Sequence, residues 1–231
     1  MRGGSGSKER YDGFGMQKKD KISMSVIRRL PRYYRFLSEL ERRGISRISS
    51  RELSARMGLT ASQIRQDLNC FGGFGQQGYG YMVHQLKEEI GGILGLNARY
   101  KTILIGAGNL GRAVATHMSF ESKGFSLIGI FDNNPDLIGQ KIRDIPVMNP
   151  AEIENFCRMN TPTVAILCLP MAAAEGISEQ LIALGIKSFW NFSHYDFSAQ
   201  HPDVIVENVH MNDSLMTLCY RITNREQNKA D

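Results

Sequence analysis

From residue 26 the apolar positions Val26, Leu30, Tyr33, Leu37 and Leu40 recur three or four residues apart, and arginines fill the gaps between them. That period is helical and predicts an amphipathic helix that Gly44 can end. Pro31 belongs in its first regular turn, because proline suits a helix start and breaks an interior. Two shorter helices follow. Ser49-Ser-Arg-Glu52 has capping-box spacing ahead of Leu53, Ala55 and Met57, with a stop at Gly58. Thr60-Ala-Ser-Gln63 repeats that spacing and opens a helix whose Ala61, Ile64 and Leu68 share one face. Only Gly58, Leu59 and Thr60 lie between the two, as in a helix-turn-helix. The opposite face of the second helix carries Ser62, Gln63 and Gln66, flanked by Arg65 and Asn69. These are types that hydrogen-bond base edges and phosphates. Residues 71–81 then alternate aromatics with glycines, which fits the two-stranded hairpin of a winged helix. A further helix is predicted over 83–94, with a joint at 95–100.

Beyond the joint the period changes. Short apolar runs at 101–105, 126–131, 163–169, 188–192 and 204–206 read as strands buried on both faces, and helical stretches at 110–118, 150–157 and 172–184 lie between them. Strands alternating with helices predict a doubly wound parallel sheet. The fold class is therefore α/β: an N-terminal winged helix-turn-helix domain over 24–99, a Rossmann-type sheet over 100–210, and a C-terminal helix and tail over 211–231. Residues 1–23 read as a mobile Gly/Ser-rich tail whose first seven residues resemble an added tag.

Composition sharpens this picture. With 42% hydrophobic and 22% charged residues the chain is neither fibrous nor wholly disordered, and no run approaches the roughly 18 apolar residues of a membrane span. The net charge of +5 is uneven, with 12 Lys/Arg against 6 Asp/Glu over 24–100 and 10 against 14 over 101–231. A basic front half points to a polyanion-binding module. The second short helix, however, carries only Arg65 against Asp67, so that element's own net charge is zero. Cys70, Cys157, Cys168 and Cys219 form no C-x-x-C pair, which indicates neither a zinc site nor a disulfide framework. A reducing cytoplasm is the simplest compartment.

Directly after the first sheet strand stands Gly106-Ala107-Gly108-Asn109-Leu110-Gly111, at a strand-to-helix junction as a dinucleotide fingerprint requires. Gly106 serves the turn, Gly108 the approach of the pyrophosphate and Gly111 the packing of helix on strand. Asp132 lies 21 residues further on, where a carboxylate accepts from ribose hydroxyls and repels a 2′-phosphate. NAD(H) is thus favoured over NADP(H). The alternative is an NAD-dependent oxidoreductase with a basic N-terminal module. The five histidines form no recognisable hydride-transfer site, and after Asp132 no length remains for a substrate domain. The same half-fold binds coenzyme A in succinyl-CoA synthetase-like domains, and Asp132 argues against that ligand.

Taken together, Ile27-Arg-Arg-Leu-Pro-Arg-Tyr-Tyr-Arg35, Ser62-Gln-Ile-Arg-Gln-Asp-Leu68 leading into Phe71-Gly72, the glycine loop with Arg112-Ala113, Phe131-Asp132, Asn191-Phe192 and Val206-Glu-Asn-Val209 resemble the redox-sensing repressors of the Rex family across residues 25–222. The resemblance implies a homodimer without enzymatic activity in which NADH and NAD⁺ compete for one site. The NADH-bound form would release a palindromic operator, and the C-terminal helix at about 213–222 would swap between subunits. It implies cofactor contacts from the glycine loop, Asp132, Asn133, Leu169, Pro170, Asn191 and Phe192. DNA contacts would come from Arg28, Arg29, Ser62, Gln63, Arg65, Gln66, Gly75 and Tyr79, and sensing from Arg35, His117, His210 and Met211. No metal is implied. The chain departs from the family pattern where Gln66, Asn69 and Cys70 replace Lys, Ser and Tyr, and where Gln77 replaces a wing arginine. His117 stands for a tyrosine, and His210 for an aspartate that pairs in the family with the arginine at Arg35. A histidine cannot reproduce that ion pair, so the expectation is a divergent member with a weakened redox response.

Overall fold

Proline at the second position of a helix fixes where the first long element of the chain begins. In the computed structural model, which describes residues 22–72, 80–197 and 201–230, a short helix α1 (Met24–Ile27) breaks at Arg28 and Arg29 before α2 (Leu30–Arg42). Leu30, Tyr33, Leu37 and Leu40 of α2 are buried, and Gly44 follows its end with φ +73°. Each such side chain stabilises the fold by about 1.5–3 kcal/mol of burial. Next come β1 (Arg47–Ile48), α3 (Ser50–Met57), α4 (Ala61–Asn69), β2 (Tyr81–Met82) and α5 (Val83–Ile93).

Both capping predictions are met at the N-cap, but only one box closes. Ser49 and Glu52 bond reciprocally, and Gly58 ends α3 in the left-handed region. Thr60 accepts from the Gln63 amide at 3.1 Å, whereas the Gln63 side chain turns away to Asp67. The hairpin expected at 71–81 is only partly described. Tyr81 and Met82 pair antiparallel with Arg47 and Ile48, and residues 73–79, with Gly75, Gln77 and Tyr79, lie outside the described residues.

The chain divides into two compact units, one ending at Leu94 and the other beginning at Gly95. The second contains β3 (Tyr100–Ile105), α6 (Asn109–His117), β4 (Phe125–Phe131), β5 (Lys141–Ile142), β6 (Ile145–Met148), α7 (Ile153–Asn160), β7 (Val164–Leu167), α8 (Met171–Ala183), β8 (Ser188–Asn191), β9 (Ile205–Asn208) and α9 (Met211–Ala230). Among the described residues its seven strands run in the order β5-β6-β4-β3-β7-β8-β9. All pairings are parallel except that of β5 with β6. The six parallel strands follow the dinucleotide-fold order, with β3 central and a switch point between the neighbouring strands β3 and β7. Helix α6 packs through Val114 and Ala115 on one face with Leu104 and Ile130, and α7 and α8 pack on the other with Ile103, Phe131 and Leu167. Ligands of such sheets bind beyond the carboxyl ends of the strands at the switch point.

Candidate dinucleotide site and DNA-binding surface

The turn from β3 into α6 is built around backbone that no side chain could share. Gly106 has φ +93°, and a Cβ there would lie 2.4 Å from the Cys168 carbonyl oxygen at the end of β7. A Cβ on Gly111 would lie 1.8 Å from the Gly106 carbonyl oxygen, so strand and helix meet at glycine contact distance. At Gly108, the N-cap of α6, a Cβ would meet nothing within 4 Å, and no side chain caps the helix. This open end presents the amides of Asn109, Leu110 and Gly111, which have no intrahelical partner, together with the positive end of the helix dipole. These residues fit a pyrophosphate.

Asp132 stands at the end of β4, where its carboxylate accepts from the Ala107 amide at 2.5 Å and from the Asn134 amide at 2.8 Å. It thus ties the second strand to the glycine loop, and the remaining lone pairs of a carboxylate stay available to ribose hydroxyls. Asp132→Ala is expected to weaken NAD(H) binding about 10- to 100-fold, the value of charge-assisted hydrogen bonds. Titration calorimetry of wild type and variant checks it.

The other predicted cofactor residues take distinct positions. Asn133 is exposed beside Asp132, and Leu169 and Pro170 follow β7, with Pro170 capping α8. Phe192 stands edge-on to Trp190 at 4.7 Å beyond β8. Asn191 is buried and its amide is fully engaged. It donates to the Tyr195 carbonyl and to Asn208 Oδ1, and accepts from the Ser193 amide and hydroxyl. It holds the loop after β8 in shape. Cys168, next to the loop, is a half-buried thiol that burial pushes up to about 12, which favours the protonated form.

On the first unit, Arg28, Ser62, Arg65 and Gln66 are exposed, and Arg65 donates to Ser50 Oγ at 3.2 Å. Arg29 differs, because its Nε and Nη2 donate to the two oxygens of Asp67, both at 2.7 Å. Asp67 is only 1% exposed and also accepts from Tyr33 Oη at 2.9 Å and Gln63 Nε2 at 2.8 Å. Arg32 bonds the Met57 carbonyl, joining α2 to the end of α3. The net charge of α4 still sums to zero, but its two charges lie on different faces of the helix. Asp67 is buried against Arg29, and the outer face of α4 keeps Arg65 without an acid beside it on that helix.

Among the sensing residues, Arg35 is exposed on α2, His117 ends α6 exposed, and Met211 opens α9. His210 Nδ1 lies 2.8 Å from Nδ1 of His194, and the rings stack with centroids 4.9 Å apart. His194 adopts φ +63°, a left-handed conformation uncommon for a residue with a Cβ. Sequence reasoning identified neither this pairing nor the network around Asp67.

A basic helix-turn-helix module and a dinucleotide-type Rossmann sheet in one chain define a class: DNA-binding proteins with a nucleotide-responsive domain. A family model described as "Putative DNA-binding protein N-terminus" matches residues 21–69, and one described as "CoA binding domain" matches residues 97–195. The redox-sensing transcriptional repressor Rex of Thermoanaerobacter pseudethanolicus is 56% identical over 211 residues, covering 91% of this chain and 94% of that protein. That of Clostridium perfringens is 50% identical over 91% of this chain and 99% of its own length. A Rex-family structure, RSP in complex with β-NAD⁺ and operator DNA, is 54% identical with a TM-score of 0.81, covering 92% of this chain and 97% of that one. RSP in complex with β-NADH gives 51% identity and a TM-score of 0.83, covering 92% and 99%. The chain belongs to the Rex family of redox-sensing transcriptional repressors.

Proposed function

We propose that this chain is a transcriptional repressor that holds palindromic operator DNA as a homodimer and releases it when NADH replaces NAD⁺. The observation that carries this reading is the pairing of an uncapped, glycine-lined helix end beside Asp132 with an exposed helix-turn-helix in one polypeptide. Relatives over nine-tenths of the chain are repressors, and RSP has been solved with operator DNA, with β-NAD⁺ and with β-NADH. The oxidoreductase alternative has no such support.

Physically, two recognition helices related by a two-fold axis grip a palindrome only at a spacing near ~34–36 Å or a multiple of it. A ligand shifts that spacing by no more than its differential affinity for the two dimer states. Oxidised nicotinamide is planar and cationic and the reduced ring is neutral and puckered, so a pocket distinguishes them without chemistry.

Two features support the dimer and the swapped C-terminal helix. Helix α9 leaves Leu215, Met216, Leu218, Tyr220 and Ile222 more than half exposed. On the α6 side of the sheet, Val164, Ile166, Trp190 and Ile205 line an apolar cavity of about 670 Å³ at the amino ends of the strands. A second copy would cover such surfaces. No helix of the described residues is long and apolar enough to cross a membrane. The four cysteines are free thiols, and the working place of the protein is the cytoplasm.

The redox response of this member is weaker than the family pattern implies, because His210 is engaged with His194 and offers no carboxylate to Arg35. The double change His117→Tyr and His210→Asp is expected to widen the ratio of operator affinities with NAD⁺ and NADH about fivefold or more, within the range of allosteric coupling. Gel shifts with each dinucleotide measure it. The proposed cofactor itself is tested by fluorescence: Trp190 is the chain's one tryptophan, and transfer of its emission to added NADH, reversed by NAD⁺, is expected. Absence of transfer together with no heat of binding contradicts the assignment.

A further inference from the structure

Four hydrogen bonds converge on one carboxylate beneath the recognition helix. Asp67 accepts from Arg29 Nε and Nη2, from Tyr33 Oη and from Gln63 Nε2. An ionised carboxylate only accepts, so the atom Gln63 turns toward it must be the NH₂ group, and the amide cannot flip without losing that bond. Two groups of the amide remain free of partners among the described residues: the Oε1 acceptor and the second Nε2 hydrogen. Gln63 is the third residue of α4 and only half-buried, and the N-terminal residues of a recognition helix are those that meet base edges.

That pattern of one acceptor beside one donor matches a single major-groove edge. Adenine presents its N6 amine beside the N7 acceptor, whereas guanine presents two acceptors, O6 and N7. A freely rotating glutamine can turn both of its N–H bonds toward guanine. A glutamine with one N–H committed to Asp67 sets Oε1 against guanine O6, two acceptors with no proton between them. We propose that Gln63 selects adenine at one position of each half-site and that Asp67, held by Arg29 and Tyr33, is the positioning residue that locks its amide. The inference rests on the operator-binding reading above and adds to it a base and the device that chooses it.

The test starts with the wild-type full chain selecting duplexes from a random library, followed by dissociation constants at one fixed salt concentration for single-base-pair variants. One position per half-site is expected where replacing adenine by guanine, or by purine, which lacks the 6-amino group, weakens binding about tenfold or more. At that position Gln63→Met, which keeps length and helix propensity, removes the preference and leaves the other positions as they were. Asp67→Asn frees the amide to flip, so the adenine-to-guanine ratio falls by more than the overall affinity does. If Asp67→Asn does not fold, the Gln63→Met and purine comparisons decide alone. Adenine preference surviving Gln63→Met at every position overturns the role of Gln63, and an unchanged ratio in folded Asp67→Asn overturns that of Asp67. A wild-type chain that enriches no sequence overturns the operator-binding reading instead.

Discussion

Gly111→Ala is expected to eliminate NAD(H) binding while leaving the N-terminal unit folded. The added Cβ would lie 1.8 Å from the Gly106 carbonyl oxygen and 2.9 Å from the Gly106 carbonyl carbon, both backbone atoms of the turn that presents the pyrophosphate site. Neither can rotate away as a side chain would. Helix α6 must therefore part from β3, moving the Asn109, Leu110 and Gly111 amides off the crest of the switch point. Overpacking of this kind costs about 3 kcal/mol, which lowers the melting of a unit this size by roughly 10 °C. Calorimetry should show the transition of the dinucleotide unit moving alone, and Trp190 should no longer transfer emission to NADH. A variant that binds NADH with wild-type affinity would mean that the helix end is not the site.

The second large effect falls on the other unit. Asp67→Ala leaves the Arg29 guanidinium and the buried Tyr33 hydroxyl without their shared acceptor. Breaking a buried pair by removing one partner costs about 3 kcal/mol or more, and for a small unit this lowers the melting temperature by more than about 10 °C. Operator binding is expected to be lost while NADH binding remains, because the dinucleotide unit has its own core. Acid should act through the same group. Burial alone would push the Asp67 carboxyl up, but the hydrogen bonds from Arg29, Gln63 and Tyr33 and the guanidinium charge outweigh it and hold it below its usual 3.8. A native value below the unfolded one gives stability that is present above pH 3.8 and lost as pH falls through the native value. Asp67→Asn should flatten the pH dependence of the N-terminal unit in that window, and an unchanged profile would contradict the assignment.

These residues also show what could be read from the chain alone. The glycine loop and Asp132 were legible because each is tied to a boundary between elements, and such boundaries carry strong local signals. Pro31 and the Ser49 box were legible for the same reason. Strands β5 and β6 were not foreseen, since two and four residues with Pro146 among them are too short to show a period. Asp67 enters the sequence reading only as a charge set against Arg65, although it lies three residues after Ile64 and beside Leu68, on the buried side of α4. Its position was visible, but its partners in α2 were not, because Arg29 and Tyr33 are more than thirty residues away. Asn191 is a similar case. The residue type suits a cofactor contact, and only the fold reveals that Tyr195, Ser193 and Asn208 occupy its amide. His210 meets His194, a residue in the left-handed region, and sequence spacing announces neither the turn nor the contact.

The central claim is that one chain couples nicotinamide redox state to operator binding. Its most direct measurement is the affinity of the full chain for its selected operator, at fixed salt, as NADH is titrated against constant NAD⁺. The account predicts that operator is released as NADH rises and restored by excess NAD⁺, less sharply than in the His117→Tyr, His210→Asp variant. An affinity that stays constant across the titration, with NADH shown to be bound, would contradict it.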